Sequence, residues 1–368
     1  MNASKLLWCS LGFLLLGGPL AALAQDSKAP FREFVLVDVS VVSSSAIAKW
    51  KEEKFSGVAI VLNEGASKAE QRAAGKSVSE AQLDLFWWIE VARNPKMASA
   101  NPRWMAGLGS HADWQKRFSN APEPGFNEVA KAYPWVPIVY AEAYDAHLNR
   151  IEQLLKDLPQ AKGVFVNDLQ AGPGSCGCGN LQCRWAVDYH VRSTAKKVQG
   201  GNVAGRFVIE LQKRTQQTLI PVWTTECEHA DMPTEKNGGK ASTGFCGSVG
   251  CATGACPTEF SAQLSELLST HNGALGVLAT HESFQRSKEE IGGGPEWVID
   301  AIDYIHKTLA AERGRVIAND RIWAVVNGGN AESEQRVREA AKRSGAAVAI
   351  VARVSLDQTY EPRIIRAE

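Results

Sequence analysis

FVLVDVSVV, Phe34–Val42, is the stretch that decides the fold. It is β-branched and mostly apolar, so it reads as a buried strand. Strands buried on both faces belong to parallel sheets covered by helices. GVAIVL at Gly57–Leu62 repeats the pattern after a short helical stretch over 43–54. Further runs stand at Pro134–Tyr140 (PWVPIVY), Gly163–Val166, Leu219–Trp223, Ala274–Ala279, Arg321–Val326 and Ala346–Val351 (AAVAIV). Helical periodicity fills the intervals, at 66–72, 78–92, 147–158, 184–198, 204–217, 260–270, 296–313 and 332–344, with Gly75 as a break.

Strands alternating with helices in this order predict an α/β fold, a (β/α)8 TIM-type barrel. A doubly wound open sheet is the alternative. No GxGxxG follows the first strand, which weighs against a dinucleotide-binding version of it. Long loops are expected after strands 2, 4 and 5. The first carries an excursion at about 94–133, with Asn101-Pro102-Arg103-Trp104 and GLGSHADW (Gly107–Trp114). Little chain follows the eighth strand and Pro362 interrupts it, so the last helix is expected to be short or missing.

The N-terminus reads as a leader. Lys5 gives a positive start, Leu6–Leu16 an apolar segment too short to span a bilayer, and Ala22-Leu23-Ala24 a small-x-small cleavage signal. The expectation is a signal peptide over 1–24 and one barrel domain over 25–368, periplasmic or secreted. No later stretch reaches the roughly 20 apolar residues of a membrane span. With 40 basic and 40 acidic side chains, nucleic acid and anionic membrane surfaces are not the expected partners. A small molecule or a glycan is; the oligomeric state is not legible.

Active sites of parallel barrels lie at the carboxyl ends of the strands. The runs above end in polar residues: Glu142 after the third, Asn167-Asp168 after the fourth, Thr224-Thr225-Glu226 after the fifth, His281-Glu282 after the sixth and Asn327 after the seventh. Crowded carboxylates repel, and that repulsion splits their pKa values into an acid and a base. Asp168 and Glu226, on adjacent strands, are the leading acid/base candidates, with Glu142, Glu282 and His281 beside them. Trp104, His111, Trp114, Trp223 and Asn327 are candidates for holding substrate, the tryptophans by offering apolar faces to sugar rings.

In its strand–helix order and in Asn167-Asp168 at the fourth strand, the chain resembles the exported barrel glycoside hydrolases. That resemblance implies hydrolysis of a glycan or related polar substrate by a carboxylate pair. The commonest pattern of the group has Asn-Glu at the fourth strand and Glu at the end of the seventh; here stand Asn167-Asp168 and Asn327-Gly328-Gly329. The stretches 176–185 and 221–256 are similar to exported bacterial proteins, which implies no activity.

All seven cysteines beyond the leader lie between Cys176 and Cys256. Cys176, Cys178 and Cys183 follow the fourth strand; Cys227, near His229, and Cys246, Cys251 and Cys256 follow the fifth. An exported chain can pair them as disulfides, with an odd one left over. The alternatives are a metal site of Cys176, Cys178, Cys183, Cys227 and His229, holding Zn or Cu(I), or a redox-active thiol. The spacing is not that of a zinc ribbon, and hydrolysis by carboxylates needs no cofactor. A metal-binding or redox accessory protein and a non-catalytic glycan-binding barrel are therefore the alternative functions.

Overall fold

The computed structural model describes residues 30–107, 120, 122–169, 203–224, 273–280, 298, 299, 302, 303, 306, 317–327, 329–356 and 361–366. Eight parallel strands close into a barrel: β1 (Arg32–Asp38), β2 (Gly57–Val61), β3 (Asp84–Glu90), β6 (Gly163–Asn167), β7 (Leu219–Thr224), β8 (Leu275–Thr280), β9 (Ile322–Asn327) and β10 (Val348–Ala352). β10 pairs back onto β1 through Arg32↔Val348 to Leu36↔Ala352, which closes the ring. Helices α1 (Ser44–Glu52), α2 (Lys68–Glu80), α4 (Ala141–Leu155), α5 (Val203–Arg214) and α6 (Ala331–Arg343) run between successive strands. The chain is a (β/α)8 TIM barrel. Among the described residues no helix is long and apolar enough to cross a membrane.

Side chains alternate across each strand, and two cores result. Val35, Val37, Val58, Ile60, Trp87, Ile89, Val164 and Val166 point outward under the helices. Phe34, Phe86, Phe165 and Trp323 point inward and plug the barrel. Phe34 stacks on Phe86 at 4.8 Å between ring centroids, and Trp323 meets Phe86 edge-on at 5.5 Å. Each such pair contributes about 0.5–1.5 kcal/mol beyond its buried area. Local chemistry sets the helix starts: Ser43 accepts from Ala46 N, and Ser67 with Glu70 forms a capping box.

Two expected elements are corrected. The stretch 78–92 is not one helix: α2 ends at Glu80, Gln82 turns the chain at φ 61°, and DLFWWIE forms β3. β3 pairs with β2 and β6 along its length, and this pairing overrides the helical period. Conversely, Pro134–Tyr140 is not a barrel strand. Pro134 and Pro137 cannot donate to a ladder; the segment is a turn after a cis Tyr133–Pro134 bond, held to the loop after β3 by the Trp135–Arg93 bridge and by Val136 N donating to the Ala92 carbonyl at 2.8 Å. The excursion therefore follows the third barrel strand, not the second. Gly75 does not break α2 either. It lies over β3, and a Cβ there would sit 2.6 Å from the Trp87 ring. Glycine is needed for the close approach of helix to strand.

A second, small sheet is formed by β4 (Ala106–Gly107), β5 (Glu128–Tyr133) and β11 (Glu361–Arg366). β11 stands where the last helix of a regular barrel would be. It runs antiparallel to β5 from Glu361↔Tyr133 to Arg366↔Glu128, and the Arg363 guanidinium lies 3.2 Å over the Tyr133 ring. The end of the chain is thus tied to the excursion after β3. Trp135, Ala92, Ala106, Ala130 and Ala132 bury together beneath this sheet, next to the carboxyl end of β3. The short helix α3 (Pro95–Ala100) completes the excursion.

Candidate functional site

The alternation that sends Phe86 and Trp88 into the barrel puts Glu90 on the same inward file, at the carboxyl end of β3. On β6, Phe165 points inward and Asn167 follows it two residues on. Register places Glu90 opposite Asn167. The Asn167 amide donates to both Glu90 carboxylate oxygens at 3.0 Å, and the Trp88 indole donates to Glu90 Oε1 at 2.7 Å. The Arg150 guanidinium, from α4, donates to the main-chain carbonyls of Glu90 (2.8 Å) and Val91 (3.1 Å) and to Glu64 (3.4 Å).

Asp168 is the next residue, and the chain leaves the sheet there at φ 58°. Aspartate tolerates this left-handed conformation better than most side chains. Main-chain bonds lock it: Val91 N donates to the Asn167 carbonyl (3.0 Å) and Ala92 N to the Asp168 carbonyl (3.1 Å). The Asp168 side chain is buried. The Trp135 indole donates to its Oδ2 at 2.8 Å, and the Arg93 backbone N–H also donates to the carboxyl group. Oδ1 is buried with no hydrogen-bond partner.

Burial, and then the neighbouring Glu90 charge, push the Asp168 carboxyl up to about 7, against the Trp135 and Arg93 donors. Burial also raises Glu90, while Trp88, Asn167, Arg93 and Arg150 pull it down. Two neighbouring carboxyl groups, one of them buried, do not both ionise at little cost. Ionisation of Glu90 therefore opposes ionisation of Asp168. A cavity of about 480 Å³ opens beside Glu90 over the ends of β2 and β3, with Val61, Glu64, Arg93, Asn94 and Arg150 in its wall. Asp168 lies behind Glu90, outside that lining.

No protein-family model matches this sequence, and no curated protein does. In structure the chain is similar to a β-galactosidase from the psychrophilic Marinomonas ef1, at 9% identity over 87% of this chain and 53% of that one, TM-score 0.46. It is similar to an α-amylase from Lactobacillus plantarum, at 9% identity over 89% and 71%, TM-score 0.43. An HpcH/HpaI aldolase from Desulfitobacterium hafniense DCB-2 shares 10% identity over 88% and 86%, TM-score 0.34. Glycoside hydrolases and an aldolase stand together here, and the likeness is one of barrel architecture alone.

Of the residues expected at the site, Asp168 stands at the carboxyl end of β6, at the mouth. Glu142 does not end a barrel strand. It lies exposed in the first turn of α4, where it accepts from Arg103 (3.1 Å) and from the Trp104 indole (3.0 Å). Trp104 is thereby half-buried against the excursion. Asn327 ends β9, where its Oδ1 accepts from Gly329 N at 2.9 Å. Trp223 is part of β7, but its side chain lies outside the described residues, as do His111, Trp114, Glu226, His281 and Glu282. Cys176, Cys178, Cys183, Cys227, His229, Cys246, Cys251 and Cys256 lie outside them as well. Among the described residues no three His, Cys, Asp or Glu side chains gather in a way that would hold a metal ion.

The helical period over 78–92 hides Glu90, because it masks the strand that carries it. The signal was present: Leu85–Ile89 is five consecutive apolar residues, three of them aromatic, bounded by Asp84 and Glu90. Asp38 is a quieter member of the mouth. It accepts from Ser40 N and from the Asn63 amide, both at 2.9 Å, which fixes the loop after β2.

Proposed function

We propose that this chain is an exported hydrolase of a glycan or a related polar substrate, acting by carboxylate acid–base catalysis at the carboxyl face of the barrel. Asp168 serves as the acid. Glu226, two residues beyond the end of β7, supplies the second carboxylate. The observation that carries the reading is the Asp168 carboxyl itself: it directly follows the end of β6 at the mouth, is buried, and is pushed up to about 7, so a large share of it is protonated at neutral pH. A carboxylic acid held protonated is what a leaving oxygen needs, and general acid catalysis of this kind contributes about 10²–10⁴-fold in rate.

The test is a panel of α- and β-linked oligosaccharides and polysaccharides, followed by release of reducing ends, on protein recovered from the periplasm. Asp168→Asn and Glu226→Gln are each expected to lower turnover about 10²–10⁴-fold on the substrate found. Full turnover in both variants removes the assignment. Saturable polysaccharide binding without hydrolysis makes the barrel a glycan-binding protein instead.

A further inference from the structure

We propose that Glu90 is a positioning carboxylate: held in its ionised form by Trp88 and Asn167, it keeps the proton on Asp168. The inference rests on the acid role of Asp168 for its catalytic meaning, but its physical content is separate from that role.

The asymmetry of the two carboxyl groups decides where the charge sits. Glu90 accepts three hydrogen bonds from neutral side-chain donors, which between them reach both oxygens. It borders the cavity over β2 and β3, so water can reach its side of the pair. Asp168 has one side-chain donor, Trp135, and the Arg93 backbone N–H, and its Oδ1 is buried with no partner. An ionised carboxylate with a bare buried oxygen is far costlier than a protonated one. The negative charge therefore settles on Glu90 and the proton on Asp168.

The charged groups around the pair come from two elements. Arg93, from the loop after β3, acts on both carboxyl groups. Arg150, from α4, acts on Glu90, but its own charge is partly met by Glu64 at 3.4 Å. Both cations favour ionisation, and Arg150 does so at Glu90. The arrangement uses neutral donors to fix the charge on Glu90, and that charge then opposes ionisation of Asp168.

The titration of Asp168 can be read without any substrate, from the side-chain carbon resonances of aspartate-labelled protein, with Asp168→Asn assigning the signal. Glu90→Gln keeps the side chain's shape and a carbonyl for Trp88 but removes the charge. It is expected to bring the Asp168 midpoint down by about one pH unit or more. Trp88→Phe, which removes one donor and keeps the carboxylate, lets Glu90 take more of the proton, so the midpoint falls in the same direction by less. A Glu90 with only a packing role would lower thermal stability and leave the midpoint in place in both variants; that result overturns the proposal. If the midpoint moves as expected while Asp168→Asn retains turnover, the catalytic reading fails and this one stands. If turnover is lost in Asp168→Asn, the alkaline limb of the rate profile should move with the midpoint in Glu90→Gln.

Discussion

Two layers of the barrel interior, four residues apart on β3 and two on β6, are built on opposite terms. The lower layer is Phe34, Phe86, Phe165 and Trp323, every ring in contact with another. The upper layer on β3 and β6 is Glu90 and Asn167, with Asp168 one step further. The lower layer is satisfied by packing alone and asks nothing of protonation. The upper layer sets a buried Asp168 behind a Glu90 that borders the cavity, and leaves one Asp168 oxygen bare. Stability would be better served by apolar residues there, since a buried charge returns less than close packing does. Such a cost at the mouth of a barrel, beside a cavity, is what the proposed proton-holding role of the pair would account for.

The largest expected effect belongs to the lower layer. Phe165→Ala removes a ring that touches Phe86, Trp88 and Trp323. A loss of about 3–5 kcal/mol in denaturant unfolding is expected, because the surrounding barrel cannot collapse into the hole. A loss below about 1 kcal/mol would mean that the layer is not close-packed, and the contrast with the layer above would dissolve.

The upper layer should behave in the opposite sense. Asp168→Asn keeps an oxygen for the Trp135 indole and tolerates φ 58°. It removes a group whose folded-state pKa is raised, to about 7. Such a group favours folding below its ordinary pKa near 3.8 and loses that contribution as pH rises through about 7. The variant should therefore be more stable than the parent at pH 8, by about 1–3 kcal/mol, and the advantage should vanish towards pH 4. Urea unfolding at the two pH values checks it. A variant less stable than the parent at pH 8 would show that ionised Asp168 is well solvated, contrary to its bare oxygen.

The contrast also explains what the sequence could reveal. Seven of the eight barrel strands were legible because Val, Ile and Ala runs such as Gly57–Val61 and Val348–Ala352 are too short and too apolar to be anything else. β3 was hidden by its neighbour. Val78 belongs to α2, and with Leu85 and Ile89 it falls at near-helical spacing, so the period ran through a boundary marked only by Gln82. Asp168 was legible because β6 was. Its burial was not, because Trp135 comes from a segment whose place on the mouth is set by pairing with β11, some 230 residues later in the chain. Long-range pairing of this kind leaves no local trace. Glu142 misled in the same way, since a residue just past an apolar run looks alike whether that run is a strand or a proline-bounded turn.

A buried lysine sharpens the comparison, because among the described residues it has no charged partner. Lys131 of β5 is almost wholly buried in the small sheet, where its Nζ donates to the carbonyls of Met105 (2.9 Å) and Arg103 (3.3 Å) and lies 5.8 Å from the Tyr140 ring centre. Burial alone lowers it to about 8. The folded sheet thus binds its proton less well than the unfolded chain does. Protonation opposes folding below pH 8, and stability should rise as pH climbs from about 8 to about 10.4, where the unfolded lysine also loses its proton. Hydrogen exchange at the Val129–Ala132 amides, corrected for the intrinsic rate, should show protection growing across that window. Lys131→Met should flatten the trend and raise protection at pH 7 by about 1 kcal/mol, close to fivefold, the lost hydrogen bonds offsetting much of the relief. Barrel amides such as those of β10 should not respond. If they do, the small sheet and the barrel open together, and the strand that ties the chain's end to the excursion is part of the barrel's own cooperative unit.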